Sequence, residues 1–185
     1  LSKKTGPYFD KAGFLKEIAD YPKPFHFIDF ESCTVAIPFN TGRRPYEQIA
    51  FQFSHHILHE DGRLEHANQW MGAEPGKFPN YDFVRALRSA LGEIGGTVFR
   101  YADHENTVLN HIRDQLLESG EPDRVELIAW IETLAKPTKN KTATWEPKRC
   151  FVDMLDLVLR FFWHPRMGGS NSIKVALPAI LESSE

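Results

Sequence analysis

The sequence predicts an α/β fold with a mixed central β-sheet flanked by helices, and three observations predict it. Three strand-like runs come first, "FHFIDF", "QIAFQFSHHIL" and the run that follows Asp61-Gly62, joined largely by hairpin-type connections. From there strand and helix alternate, with "TVFRYA" and "RCFVDM" each leading into an amphipathic helix. No internal repeat or low-complexity tract interrupts that order. Hairpins give antiparallel neighbours and strand-helix-strand units give parallel ones. The first three strands are therefore expected to be antiparallel and the later strands parallel.

Each element has a local reason. Asp10 is placed to N-cap "KAGFLKEIADY", where Phe14, Leu15 and Ile18 share a face and Pro22 follows the stop. "SCTVAIPFNTGRRPYE" reads as a loop broken by Pro38, Gly42 and Pro45. Asp61-Gly62 is a hairpin signal between two strand-like runs. A helix begins near Asn80, with Phe83, Leu87, Ala90, Leu91 and Ile94 at helical spacing, and is expected to end at Gly95-Gly96. "DHENTVLNHIRDQLLES" and "RVELIAWIETLA" are further helices, "TKNKTATWEPK" a polar basic loop, and "LDLVLRFFW" a helix ending before Pro165.

The chain has 185 residues, 42% hydrophobic and 25% charged, enough for one sizeable core, and a single domain over 1–185 is the expectation. A net charge of −3 carries no basic signature, so any nucleic-acid binding must come from a local patch. Cys33 and Cys150 stand far apart with no metal-type spacing, which points to a reducing compartment and a cytoplasmic location. No apolar run reaches the ~20 residues of a membrane span, and the first residues lack a signal-peptide pattern. The absence of an initial Met and the ending "LESSE" suggest a piece of a longer chain.

The chemistry begins with "FHFIDFES". Asp29 and Glu31 share one face of a strand and Phe30 takes the other. Two carboxylates roughly 7 Å apart and shielded from water would repel unless a hard cation such as Mg²⁺ or Mn²⁺ lay between them. An exposed edge strand is the other explanation, and for an isolated D-x-E it is the commoner one. Glu105 shifts the balance. It stands four residues before Leu109, in the first turn of a helix whose apolar stripe runs Val108, Leu109, Ile112, Leu116, just after a strand. Asp103 reads as that helix's N-cap, and Asp153 as the N-cap of the helix that Asp156 continues. His55 and His56 put one ring on each face of their strand; with His59 and His66 they are expected to be surface or core residues, not ligands.

In this order, "FIDFES", "VFRYADHENTVL", "FVDMLDLV" and "HPRMGGSNSIKVALPAI" resemble the RNase H-like superfamily, and within it the DEDD exonuclease-type domains. They look most like an uncharacterised bacterial family of such domains, often fused behind another nuclease-type domain. The resemblance implies an RNase H-like fold and phosphodiester hydrolysis of DNA or RNA, with a single-stranded end as substrate and two Mg²⁺ or Mn²⁺ ions about 4 Å apart. It implies that Asp29 bridges both ions, that Glu31 binds the ion carrying the water, and that Glu105 binds the other. It implies phosphate contacts from Ser172 and Lys174, with Arg43, Arg44 or the "TKNK" loop adding positive charge. The sequence departs from the pattern in two places. His104 stands where an aromatic is usual and Glu105 where Asp is usual, and nothing after "SNSIKVALPAI" supplies the final Asp; His164 lies too early to be the histidine that accompanies it. Two alternatives therefore stay open. One is a nucleic-acid-binding or scaffolding domain with an incomplete acid cluster; the other is a protein-interaction module using the Trp residues and "FFWHP", Phe161 to Pro165.

Overall fold

The computed structural model describes residues 6–92, 95–138, 144–149 and 151–184. In chain order its elements are β1 (Tyr8–Phe9), α1 (Lys11–Ala19), β2 (Phe25–Cys33), β3 (Ile49–Leu58), β4 (Leu64–Met71), α2 (Asn80–Leu91) and β5 (Thr97–Arg100). There follow α3 (His104–Leu117), α4 (Arg124–Leu134), β6 (Val152–Asp153), α5 (Met154–Phe161), β7 (Phe162–Trp163), a 3₁₀ turn (Pro165–Met167) and α6 (Ile173–Glu182). The chain divides into two compact units: Pro22–Val152, and both chain ends together, up to Tyr21 and from Asp153 onward.

The Pro22–Val152 unit is α/β. Its sheet is five-stranded, in the order β4-β3-β2-β5-β6, and the chain leaves the unit through β6. β2 and β3 pair antiparallel, as do β3 and β4, while β5 runs parallel to β2, so the sheet is mixed. Alternation decides the faces. His26, Ile28 and Phe30 of β2 and Phe53, His55 and Ile57 of β3 are buried. Ile28, Phe30 and Phe53 join Phe83, Leu87 and Leu91 of α2, Leu109 and Ile112 of α3, and Leu127 and Ile131 of α4 in one core. The turn between β3 and β4 is the one the Asp61-Gly62 signal predicts. Gly62 takes φ +86°, which suits glycine, and the Asp61 carboxylate accepts the Arg63 N–H at 2.9 Å.

Buried polar groups fix how the helices meet the sheet. Asn80, fully buried at the start of α2, accepts the Ala50 N–H at 2.8 Å and donates to Gln48 O at 2.9 Å and to Gln115 Oε1 at 2.6 Å. Gln115 of α3 in turn donates to Gln48 O at 2.9 Å, so one network joins α2, α3 and the start of β3. Asn106 brackets Lys136, accepting its N–H at 2.8 Å and donating to its carbonyl at 3.1 Å, which holds the segment after α4 against α3. Arg85 of α2 bonds both carboxylate oxygens of Asp123 (2.8 and 2.6 Å), Asp82 (2.8 Å) and Glu121. Ahead of β5, Gly96 has φ +102°, and a Cβ there would lie 2.2 Å from Pro24 O, an oxygen held by Thr97 N–H at 3.1 Å. Only glycine fits that approach.

In the second unit, Asp10 caps α1 as predicted, accepting the Gly13 N–H at 2.9 Å. Phe14 of α1 meets Phe161 of α5 edge to face. Arg160 grips Glu17 with two bonds of 3.0 and 2.5 Å, which holds the Glu17 carboxyl down at about 2. β1 and β7 form a two-residue antiparallel pair.

Several expectations are corrected. The helix expected to run to Gly95-Gly96 ends at Leu91, because Gly92 turns the chain at φ +53°. The strand expected in "RCFVDM" is only Val152–Asp153 among the described residues, and Cys150 lies outside them. "LDLVLRFFW" leaves the helix after Phe161, since Phe162 and Trp163 pair with β1. The β1–β7 pair and α6 are additions to the expected elements. No helix among the described residues is long and apolar enough to cross a membrane.

Candidate metal and nucleic-acid site

β2 is not an edge strand. It is the middle strand of five, so its acids are not those of an edge strand. Asp29 and Glu31 are nevertheless both exposed, on the face opposite Ile28 and Phe30. The reason lies in the register. β5 pairs with β2 only from Phe25 to Phe27, so β2 runs on past its parallel neighbour and carries both acids beyond the last paired residue. Across β3 they face Ser54 and Gln52 in the backbone ladder, and neither carboxylate makes a hydrogen bond or ion pair with another described residue. The pairing slips between Glu31 and Ser32, a bulge that re-aims the strand immediately after the second acid.

The head of α3 is brought to the same end of β2. Ser32 Oγ and His104 Nε2 share a hydrogen bond at 3.0 Å. The chain steps from β2 to β3 and β4 on one side and later places β5 on the other, so the β2–β5 crevice is a topological switch point. Glu105 sits one residue beyond His104 but is 3% exposed and heads the stripe that covers the other sheet face. Among the described residues no group of three or more His, Cys, Asp and Glu is placed to hold a metal ion. The structure thus brings Asp29 and Glu31 together and sets Glu105 nearby, without assembling a three-acid cluster.

The remaining predicted residues fall elsewhere. Asp103 occupies the N-cap position of α3 without making a side-chain capping bond; instead its carboxylate pairs with Arg100 at 2.9 Å, a correction to its expected role. Asp153 does cap α5, accepting the Leu155 N–H at 2.9 Å. Arg43 stacks 3.8 Å over the Phe78 ring and bonds Glu47 and Tyr81, so it serves the loop's own structure. Arg44 is exposed and pairs with Glu118 at 2.8 Å. Ser172 and Lys174 are exposed at the start of α6, and Ser172 makes no side-chain capping bond. Within "TKNK", residues 139–141 lie outside the described residues. Trp70 and Trp130 pack against the core, and Trp145 donates to Ala135 O at 2.7 Å.

Sequence reasoning missed a buried histidine pair. His26 Nδ1 and His55 Nε2 are 2.9 Å apart, both rings have no exposure, and His26 Nε2 lies 3.1 Å from Gly95 O. A carbonyl only accepts, so His26 carries its proton on Nε2 and its Nδ1 accepts from His55 Nε2–H. His55 Nδ1 is then a buried lone pair with no hydrogen-bond partner among the described residues. The available signal was period two, which puts His26 in step with Ile28 and Phe30. Burial first, then the neighbouring His26, His56 and Arg149, pushes His55 down to about 4; burial also lowers His26. The unfolded chain therefore binds more protons between about pH 6.5 and 4. Stability is expected to be full above that window and to fall by about 3 kcal/mol as pH drops through it, read by urea unfolding at pH 7, 5.5 and 4.5. A stability flat across those three points would contradict the neutral pair.

The fold and site define an α/β domain with a mixed sheet and an exposed acid pair at its switch point. The chain belongs to the family described as Domain of unknown function (DUF2779), whose model matches residues 26–172 and so spans Asp29, Glu31 and Glu105. No curated protein and no solved structure matches it.

Proposed function

We propose that the domain is a metal-dependent nuclease of RNase H-like, DEDD-exonuclease type, acting on the phosphodiester bonds of DNA or RNA. The observation that carries the reading is a pair of exposed carboxylates, Asp29 and Glu31, on one face of a central strand at the sheet's switch point. Two carboxylates on one face of a rigid strand, with no cationic side chain bound to them among the described residues, offer oxygen donors of the kind that suit Mg²⁺ or Mn²⁺. The order of the sheet supports the same reading, with the acid-bearing strand in the middle, a hairpin on one side and a parallel strand on the other.

The described residues fit the proposed metal in part. Asp29 and Glu31 would hold one ion, and Glu105, buried and outside any three-group cluster, does not complete a two-ion site in this arrangement. Bound there, a divalent ion would supply Lewis-acid charge for a phosphate and lower the pKa of a bound water. The chain's own contribution is to hold two oxygens on a rigid strand, with the Ser32–His104 bond fixing the head of α3 beside them. Glu105's burial favours a second reading, a nucleic-acid-binding domain that takes up a cation without cutting.

Thermal melting with and without millimolar Mn²⁺ tests the shared premise. Wild type is expected to gain several degrees and Asp29→Asn to gain none, because a ligand of the folded state alone stabilises it by mass action. Equal responses in both proteins would remove the acids from the site.

A further inference from the structure

We infer that the loop between β2 and β3 is a stacking platform for the bases of a single-stranded nucleic acid; the choice of that partner rests on the nuclease reading above. The loop leaves β2 directly after the acid pair. Ile37, Phe39 and Tyr46 on it are 82%, 70% and 70% exposed, three large apolar side chains in one short connection. A collapsed loop would have buried them, since each exposed ring forgoes the favourable transfer of its apolar surface from water.

The backbone is instead fixed so as to present them. Tyr46 is held at φ +60°, a left-handed conformation unusual for an aromatic residue, with its N–H bonded to Val35 O at 2.7 Å. Gly42 turns the chain at φ +78°. The Arg43 side chain pins the loop to the domain through Phe78 and Tyr81, and braces it internally through Glu47. The rings thus stand on a pre-ordered loop, and a base stacking on them would have little ordering left to do.

Charge selects the partner. Between β2 and β3 the loop holds two arginines and one acid, Glu47, which is engaged by the Arg43 side chain and the Arg44 N–H and so leaves the Arg44 guanidinium as the loop's outward charge, in a chain whose net charge is −3. Arg44 is exposed between Phe39 and Tyr46, and its surface pair with Glu118 is of a kind that contributes little and exchanges readily for a phosphate. Aromatic rings interleaved with arginine suit single-stranded nucleic acid, where every base has a face to stack and every nucleotide a phosphate.

The test is fluorescence anisotropy of labelled single-stranded DNA and RNA oligonucleotides against the 185-residue chain, with EDTA present. Phe39→Ala and Tyr46→Ala are each expected to weaken binding about tenfold or more with an unchanged salt slope, while Tyr46→Phe binds as wild type. Arg44→Ala is expected to reduce the salt slope by about one. Melting temperatures of the alanine variants should stay at or above that of wild type, which separates lost contacts from lost structure. Wild-type binding by both alanine variants, or no oligonucleotide binding by the wild type, overturns the platform. So does a wild-type dimer in sedimentation that Phe39→Ala dissolves, which would assign the loop to a second copy of the chain. With EDTA the result is independent of cation uptake at Asp29 and Glu31, so this proposal and the metal reading fail separately.

Discussion

Asp29→Asn and Glu31→Gln, introduced into the longest natural chain carrying this domain, are each expected to lower Mn²⁺-dependent hydrolysis of a single-stranded oligonucleotide by at least about a hundredfold. Partners one step removed from a metal already shift affinity or activity by about 10- to 100-fold, so a ligand should do no less. Both side chains are exposed and make no hydrogen bond or ion pair with another described residue, so the substitutions should leave the melting temperature in EDTA unchanged. Cleavage by the wild type separates the two functional readings, and Glu105→Gln then tests whether Glu105 is part of the site. As a metal ligand, Glu105 would give the same loss of cleavage; as a buried group outside the site, it would leave cleavage intact. Gel analysis of a 5′-labelled oligonucleotide at fixed Mn²⁺ reads all three. Wild-type rates in the Asp29 and Glu31 variants would exclude the proposed site.

Asn80→Ala is expected to cost about 2–4 kcal/mol of folding stability. The substitution strands the buried Ala50 N–H and removes donors from both Gln48 O and Gln115 Oε1 at the junction of α2, α3 and β3. Gln48 O keeps its bond from Gln115, but the Ala50 N–H and Gln115 Oε1 lose the partner they have, and for a chain of this length the loss corresponds to a fall of roughly 5–15 °C in melting temperature. Asn80→Asp keeps the acceptor for Ala50 N–H but loses both donors and buries a charge, and is expected to do at least as much damage. Denaturant unfolding followed by circular dichroism measures it. A loss below about 1 kcal/mol would mean that the network is not what seats α2 on the sheet.

What was legible in the sequence was what local chemistry dictates. Asp61-Gly62 announces its hairpin, the Val108-Leu109-Ile112-Leu116 stripe announces α3, and the capping carboxylates of Asp10 and Asp153 sit where their sequence context places them. What was not legible depends on residues distant in sequence. β1 and β7 are two residues each and become strands only by pairing across the length of the chain. Pro178 and the preceding Gly-Ser-Asn run hide α6, which begins at Ile173 all the same. Asp103 is a different case: its partner Arg100 is only three residues earlier, and the cap preference of Asp outweighs that local pair in a reading of the sequence.

The candidate site shows the same division. Period two placed Asp29 and Glu31 on one face, but D-x-E cannot say whether its strand is central or at an edge. Only the sheet order, with β5 stopping opposite Phe27, gives the two acids an open position beyond their neighbour. Helical spacing put Glu105 at the head of a core stripe, and the structure keeps it there, buried, and in no metal-holding group of three or more among the described residues. Arg43 reads in sequence as a phosphate contact and turns out to be a loop anchor, because Phe78 and Tyr81, more than thirty residues away, take its guanidinium.

The central claim is that Asp29 and Glu31 together bind a divalent cation. Titration of the purified chain with Mn²⁺, following the paramagnetic resonance of the free hexaaqua ion, measures this without any substrate. Wild type is expected to take up Mn²⁺ and to be displaced by excess Mg²⁺, while the Asp29→Asn, Glu31→Gln double variant leaves the free-ion signal at its protein-free intensity. Equal uptake by both proteins, or none by the wild type, would contradict the claim.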